Sequence, residues 1–385
     1  MQTFRLVIKN AFRHKLRTSL TVLGIAIAIL AFGLLQTVVG AWYAGVEASS
    51  ATRLVTRNSI SIIFFLPLSY KEKISQIPGV KQITYASWFG GIYLSEKNFI
   101  PNFAVDAKSF LELYPEFILP EKQKKDFLRD KKAGVAGRKT AEKFGWKIGD
   151  TITLKGTIFT GNWDFNLRGI YRGAQKGTDE TQFFFHWDYL NESLRKTVPR
   201  RADQVGWYSI GVTHPDRAAE VAAAIDKTFK NSLAETMTET EKAFQLGFVS
   251  MTEAIIIAIR IVAFVVIIII MAVMANTMAM TARERIGEYA IMKTLGFGGG
   301  HIAGIIFGES LIIAFMGCAL GIAFTYPAAE AFGEAMSTFF PIFNVKSQTI
   351  YLDIAATFIV GLAAALFPAW RAVSLKVADG LRRIG

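Results

Sequence analysis

Long uninterrupted apolar runs constrain this chain more than any other feature of its sequence. From Leu20 to Ala44 only Thr21, Gln36 and Thr37 break the apolar character, and further runs extend from Ala254 through Met280, Ile302 to Ala329 and Leu352 to Phe367. At about 1.5 Å per residue in a helix, such runs cross a hydrocarbon core of roughly 30 Å, although the fourth is the shortest. A lipid interior offers backbone groups no water, so each run must be helical. The expected fold class is therefore an α-helical membrane protein with four transmembrane helices. A cleaved signal peptide does not account for the first run: its apolar region would be only about 7–15 residues and would end at a small-x-small site, which Trp42 and Tyr43 interrupt.

Composition agrees. Hydrophobic residues make up 52% of the chain and mean hydropathy is +0.33, too apolar for a purely soluble protein. The formal charge of +12 would suit nucleic acid or membrane. The basic residues sit beside apolar runs and the aromatics do not line a basic groove, which argues against nucleic acid. Cys318 is the single cysteine and lies inside an apolar run, so an exported domain must fold on its core alone. His14, His186, His214 and His301 are scattered and give no metal-ligand spacing.

Four spans put both termini on one side. Arg5, Lys9, Arg13, Lys15 and Arg17 precede the first, Arg283, Arg285 and Lys293 lie between the second and third, and Arg371, Lys376, Arg382 and Arg383 follow the fourth. The segment from Glu330 to Ile350 carries only Lys346, so the basic segments are expected to be cytoplasmic. The roughly 200 residues from Val46 to Gly247 are then outside and large enough for a core of their own. They read as an α+β domain inserted between the first and second spans. Strand-like stretches are Ser59 to Phe65, Ile83 to Trp88, Phe99 to Val105, Thr151 to Leu154, Phe165 to Tyr171 and Gly206 to Val212. Helical patterns are Tyr70 to Ile77, Arg138 to Phe144 and Asp216 to Phe229, while the charged run from Glu121 to Lys132 reads as a solvated loop or helix face. The expected division is 1–45, with the first span; 46–247, the outer domain with its stalk; and 248–385, with the remaining spans.

Met237, Phe244, Phe248, Met251 and Ile255 recur at helical steps and predict one stripe, a stalk leading into the second span. After that span, Arg283, Glu284, Arg285, Glu288 and Lys293 alternate with Ile286, Ala290, Ile291 and Leu295, and Gly296 is placed as a C-cap. A short amphipathic helix over about 281–297 follows, lying at the cytoplasmic surface. No G-x-x-x-x-G-K-[ST], G-x-S-x-G or H-E-x-x-H occurs, so this chain offers no P-loop for ATP and no catalytic motif.

The stretch from Asn276 to Phe297, with Arg283-Glu-Arg285, Glu288 and Lys293-Thr-Leu-Gly296, resembles the signature that follows the second span in MacB/FtsX-type ABC transporter permeases. Asn10 to Ile25 is similar to that family's opening, and Phe367 to Arg382 to its ending, with Val377 and Gly380 in place of the usual proline and alanine. Gly137 to Ile152 is similar to the G-x-x-L-A-x-x-x-G-x-x-x-G-D-x-I element of MacB-like periplasmic domains. The resemblance implies a permease subunit of the bacterial inner (plasma) membrane, multi-pass, that pairs as a homodimer or heterodimer. It binds no cofactor itself, and ATP and Mg²⁺ belong to a separate ABC ATPase docked on the cytoplasmic helix. Arg283, Glu284, Arg285, Glu288 and Lys293 would make the polar contacts to that ATPase. The implied work is mechanotransmission: moving the periplasmic domain to export or extract a drug, peptide, lipoprotein or other amphiphile, with a periplasmic adaptor as a further partner. Non-transport regulation, such as switching on a cell-wall hydrolase, is the alternative within the family, and a membrane-anchored sensor or enzyme the alternative outside it. Gly298-Gly299-Gly300-His301 departs from the family's basic residues at that point.

Within the spans, Asn276 and Glu309 are intramembrane polar groups near span ends, expected to hydrogen-bond between helices. Arg260 is expected to anchor the second span at the outer interface. Gly304, Gly308, Gly317 and Gly321 permit close helix packing, one use of which is a dimer seam.

Overall fold

The computed structural model describes residues 7, 9–98, 100–175, 177–336 and 340–374. Arg5, Phe99, Lys376, Val377, Gly380, Arg382 and Arg383 lie outside the described residues. The chain forms two compact units: Met1–Ala41 with Thr252–Ala335 and Phe343–Gly385, and Trp42–Met251 with Met336–Ile342.

Among the described residues, the first unit contains four helices long and apolar enough to cross a membrane, Lys15–Trp42, Glu253–Glu284, Gly299–Ala335 and Ser347–Ser374. Each begins before the apolar run that announces it, and all but the first, which ends at Trp42, also continue beyond it, because polar residues that tolerate the interface continue the helix. The fourth gains most, running over 28 residues with Pro368 inside it. Val22, Ile25 and Ile29 of the first span meet Ile270, Met274 and Met278 of the second, Ile302, Ile306 and Ile313 of the third, and Val360, Ala364 and Ala365 of the fourth in one buried cluster. In the second span only Ile256, Ala263, Ile270, Met274, Met278 and Ala282 are buried, so most of its surface is free for lipid or a partner.

Glycine decides where the first and third spans touch. A Cβ at Gly317 would come within 2.5 Å of Ile25 Cβ, and one at Gly321 within 2.8 Å of both Ala26 O and Ile29 Cβ. These two glycines therefore serve packing within the chain. Gly308 lies beside Val7, and Gly304 faces open space among the described residues. Gly321→Val should force the two helices apart and cost about 1–3 kcal/mol, as overpacking does. A denaturation midpoint in mild detergent indistinguishable from that of the parent protein would show that the helix pair tolerates separation.

The second unit is an α+β domain. Its strands are β1 (Arg53–Asn58), β2 (Leu66–Pro67), β3 (Val80–Trp88), β4 (Gly91–Ile92), β5 (Asn102–Val105), β6 (Phe117–Ile118), β7 (Ala133–Gly137), β8 (Thr151–Gly156), β9 (Gly161–Gly173), β10 (Phe183–His186), β11 (Gln204–Val205), β12 (Trp207–Val212) and β13 (Thr236–Thr240). The main sheet runs β13-β1-β12-β3-β5-β10-β7-β9-β8-β4, with β6 on β9 and a separate β2-β11 pair. Among the described strands, only β5/β10 and β7/β9 are parallel. Its core is aromatic: Phe89 stacks on Phe159 at 5.8 Å and meets Trp163, Phe165 and Phe185 edge-on. The Met336–Ile342 segment belongs here too, through the Trp42–Phe340 ring pair at 4.8 Å and Lys139 Nζ donating to Pro341 O at 2.6 Å.

Several expected elements fall where the sequence puts them, including the Arg138–Phe144 helix and strands β3, β8, β9 and β12. The mixed-charge run forms the Glu121–Arg129 helix, anchored by Phe127. Two expectations are corrected. Ser59 to Phe65 is not a strand: Asn58 Oδ1 accepts from Ile60 N at 3.0 Å, turning the chain, and β1 lies just before it. The stalk is not one helical stripe. Met237 belongs to β13, where the alternating Thr236-Met-Thr-Glu-Thr240 pairs with β1 and Thr238 Oγ1 meets Thr56 Oγ1 at 2.9 Å. Phe244, Phe248 and Met251 share the Glu241–Met251 helix, while Ile255 begins a new helix after Thr252.

Candidate functional site: the charged collar of the span ends

Where the second span ends, the chain does not pass straight into the amphipathic helix. Arg285, with φ −103° and ψ 11°, breaks the helix between Glu284 and Ile286, and a second helix runs Ile286–Thr294. That helix turns Ile286, Tyr289 and Ala290 inward. Gly296 follows at φ 92°, a backbone region glycine enters without steric cost, and Phe297 N donates back to Met292 O at 3.0 Å to close the helix end.

The charges that the sequence assigns to a partner are largely consumed inside the chain. Arg17 grips Glu284 through two hydrogen bonds of 2.7 and 2.8 Å, with His14 Nε2 3.6 Å from the same carboxylate. Arg13 pairs with Glu288. Arg13 and Arg17 are four apart, as are Glu284 and Glu288, so the two turns zip together in antiparallel order. Arg285 is not an exposed docking residue: its side chain is 7% exposed, its Nε donates to Glu288 at 2.9 Å, and its Nη1 donates to Glu309 Oε2 at 2.8 Å. Glu309 is itself 4% exposed, which makes this a buried ion pair between the turn and the third span.

Electrostatics follow the geometry. Burial works against the Arg285 charge, yet nearby Tyr289, Glu288 and Glu309 outweigh it and hold its pKa above the ordinary arginine value. Burial also raises Glu288, but its hydrogen bonds from Arg13 and Arg285 win and the carboxyl ends below the usual range. Tyr289 is pushed up to about 12 by burial.

Lys293 Nζ donates to Val373 O at 2.7 Å, tying the short helix to the end of the fourth span. The same junction explains one glycine of the unusual run: a Cβ on Gly299 would sit 2.9 Å from Val373 Cγ1. Arg283 is exposed, and so is an apolar set at the tip of the helix, with Ile291 at 47%, Leu295 at 72% and Phe297 at 45%. That set is the surface a partner can cover, and the charged-residue reading of the helix passed it over. Asn276, expected to bond between helices, is exposed and makes no hydrogen bond among the described residues.

The sequence reading also passed over Asp353. It sits second in the apolar run that starts at Leu352 and looks interfacial, yet it is fully buried and neither carboxylate oxygen has a hydrogen-bond partner among the described residues. Its Oδ2 lies near Gly33 and Thr325. A charge without partners at such a site opposes folding. Asp353→Asn, close in shape and uncharged, is therefore expected to keep or raise the thermal midpoint; a fall of more than about 1 kcal/mol would mean the carboxylate has a stabilising partner.

Four spanning helices, a charged collar at their ends and an α+β domain between the first two spans define a membrane permease with an inserted extramembrane domain. Residues 18–228 match the MacB-like periplasmic core domain, and residues 260–377 match the FtsX-like permease C-terminal domain. The chain belongs to the MacB/FtsX-like family of ABC transporter permeases. It is 24% identical over 398 residues to an uncharacterized ABC transporter permease of Methanocaldococcus jannaschii, covering 97% of this chain and 96% of that one. Among solved structures, the extracellular domain of the noncanonic ABC-type transporter YknZ from Gram-positive bacteria is 12% identical, with TM-score 0.35 and coverage of 49% of this chain and 100% of that domain. The periplasmic region of MacB from Actinobacillus actinomycetemcomitans is 8% identical, with TM-score 0.38 and coverage of 53% and 95%.

Proposed function

We propose that this chain is the permease subunit of a mechanotransmission ABC transporter, with both termini and the Ile286–Thr294 helix cytoplasmic and the α+β domain outside. The observation that carries this reading is the collar. Arg17–Glu284 joins the first and second spans, Arg285 in the turn holds Glu309 of the third, and Glu288 ties the short helix to Arg285 and to Arg13 just before the first span, while Ile291, Leu295 and Phe297 stay exposed at its tip. A helix held this way passes a push on its tip into the span ends as rigid-body movement. A separate P-loop ATPase supplies the push and binds ATP and Mg²⁺ itself. Two permeases pair across faces such as the outward side of the second span, and a periplasmic adaptor is a further partner. The cargo class is an amphiphile, exported or extracted by movement of the outer domain.

Docking is therefore chiefly apolar, with Arg283 at its edge, and Glu288 acts within the chain. Leu295→Asp places a carboxylate on the covered tip and is expected to remove an ATPase that otherwise co-purifies with the solubilised chain, without loss of membrane insertion. Undiminished recovery of the ATPase with this variant would move the docking face elsewhere.

A further inference from the structure

We propose that a cleft in the α+β domain binds a single-chain amphiphile with an anionic head group. The cleft, of about 650 Å³, opens between the Glu121–Arg129 and Arg138–Phe144 helices and the paired strands β6 and β9. Its size falls in the range of small-molecule sites. Ile118, Leu119 and Ile170 give it an apolar wall, and Ile118 is 52% exposed although it lies on a strand. Trp146 and Lys147 enter the lining just after the Arg138–Phe144 helix, and Arg172 stands on β9 directly across from Ile118.

The charged lining of the cleft is Arg138, Glu142, Lys147 and Arg172. Arg138 is already neutralised, with Nη1 on Glu142 at 3.0 Å and Nη2 on Glu180 at 2.6 Å. Lys147 and Arg172 are exposed and take no carboxylate partner among the described residues. Trp146 is buried against Tyr93, Phe144 and Phe183, and its Nε1, itself buried, has no acceptor among the described residues. Two cations without a carboxylate partner among the described residues, beside an apolar wall, suit acceptor oxygens joined to an alkyl chain. The backbone leaves room for it: Gly145 ends the Arg138–Phe144 helix at φ 68°, and a Cβ there would meet nothing within 4 Å. An anion alone would leave Ile118 and Ile170 in water, and an alkyl chain alone would leave the cations unpaired.

This inference rests on the reading of the chain as a mover of amphiphiles and names the cargo's chemistry. Binding of octyl phosphate is measured by calorimetry on the full chain in nanodiscs of zwitterionic lipid, beside octyl glucoside, which lacks the charge, and inorganic phosphate, which lacks the tail. Octyl phosphate is expected to bind saturably and the other two at least about tenfold more weakly. Lys147→Glu with Arg172→Glu should weaken octyl phosphate by about tenfold or more, and the charge-conserving pair Lys147→Arg with Arg172→Lys should retain it. Ile118→Ser should weaken octyl phosphate and leave inorganic phosphate unchanged. Equal binding of octyl glucoside, or unchanged affinity in the Glu pair, would overturn the proposal. Because no ATPase enters the assay, such a result leaves ATPase docking untouched, whereas loss of docking with amphiphile binding intact removes only the coupling.

Discussion

Arg285→Met should destabilise the membrane unit by about 3–5 kcal/mol, the range for stripping one partner from a buried ion pair. The reason is what remains. Glu309 is 4% exposed, and its hydrogen bond among the described residues is the one from Arg285 at 2.8 Å, so the variant strands a carboxylate inside the third span. Glu288 loses one of its two arginines but is 41% exposed and keeps Arg13, so little of the loss arises there. Adding Glu309→Leu removes the stranded charge, and the double variant is expected to recover most of the lost stability. Thermal midpoints of the three proteins in one detergent measure this. If the single variant costs less than about 1 kcal/mol, water reaches Glu309 and the pair is not a buried one.

A loss of similar size, about 3–5 kcal/mol, is expected for Arg53→Met in the outer domain. Arg53 on β1 is 8% exposed and uses its whole fork: Nε to Glu241 at 2.9 Å, Nη1 to Glu116 at 3.1 Å and Leu113 O at 3.2 Å, and Nη2 to Glu116 at 2.5 Å. Tyr114 lies 4.2 Å from the guanidinium. Burial opposes the charge, but Glu116 and Glu241 more than offset it and hold the arginine pKa above its ordinary value. Glu241 opens the helix that leads toward the second span, and its other bond is from Ser50 N at 2.7 Å. The variant therefore frees the start of that helix from the sheet, and faster amide exchange in residues 241–251 should accompany the lower midpoint. Arg53→Lys should recover only part, since an ammonium cannot reach both carboxylates as a fork does. Unchanged exchange over 241–251 would show that the helix start is held by other contacts.

How much of this was readable beforehand depended on how strongly each element is specified locally. The spans were legible because a helix in lipid needs an apolar run and little else does. Pairing was not: Arg13 and Arg17 meet partners more than 250 positions away, and only the matching four-residue spacing of Glu284 and Glu288 hinted at it. The ion pairs of the short helix within the chain were not legible, because sequence shows charge and not its satisfaction. Ile291 and Leu295 were legible as the apolar side of an amphipathic helix at the membrane surface, but their exposure together with Phe297 at its tip was not. Met237 matched the helical period by chance, and the threonines around it, which favour a strand, were the stronger signal. Strand β7, Ala133–Gly137, carries no β-branched run; it is buried throughout, and a Cβ on Gly134 would fall 2.2 Å from Phe183 Cζ. Asp353 escaped notice because one acid at the edge of an apolar run gives no sign of burial.

The central claim, that an ATPase seats on the tip of the Ile286–Thr294 helix, is tested most directly by a photo-crosslinker at position 295. The chain carrying p-benzoylphenylalanine in place of Leu295 is irradiated in native membranes and the adducts are identified by mass spectrometry. The account predicts an adduct with a P-loop ATPase, diminished when Arg285→Met loosens the collar. Adducts with lipid or other proteins and none with an ATPase would contradict it.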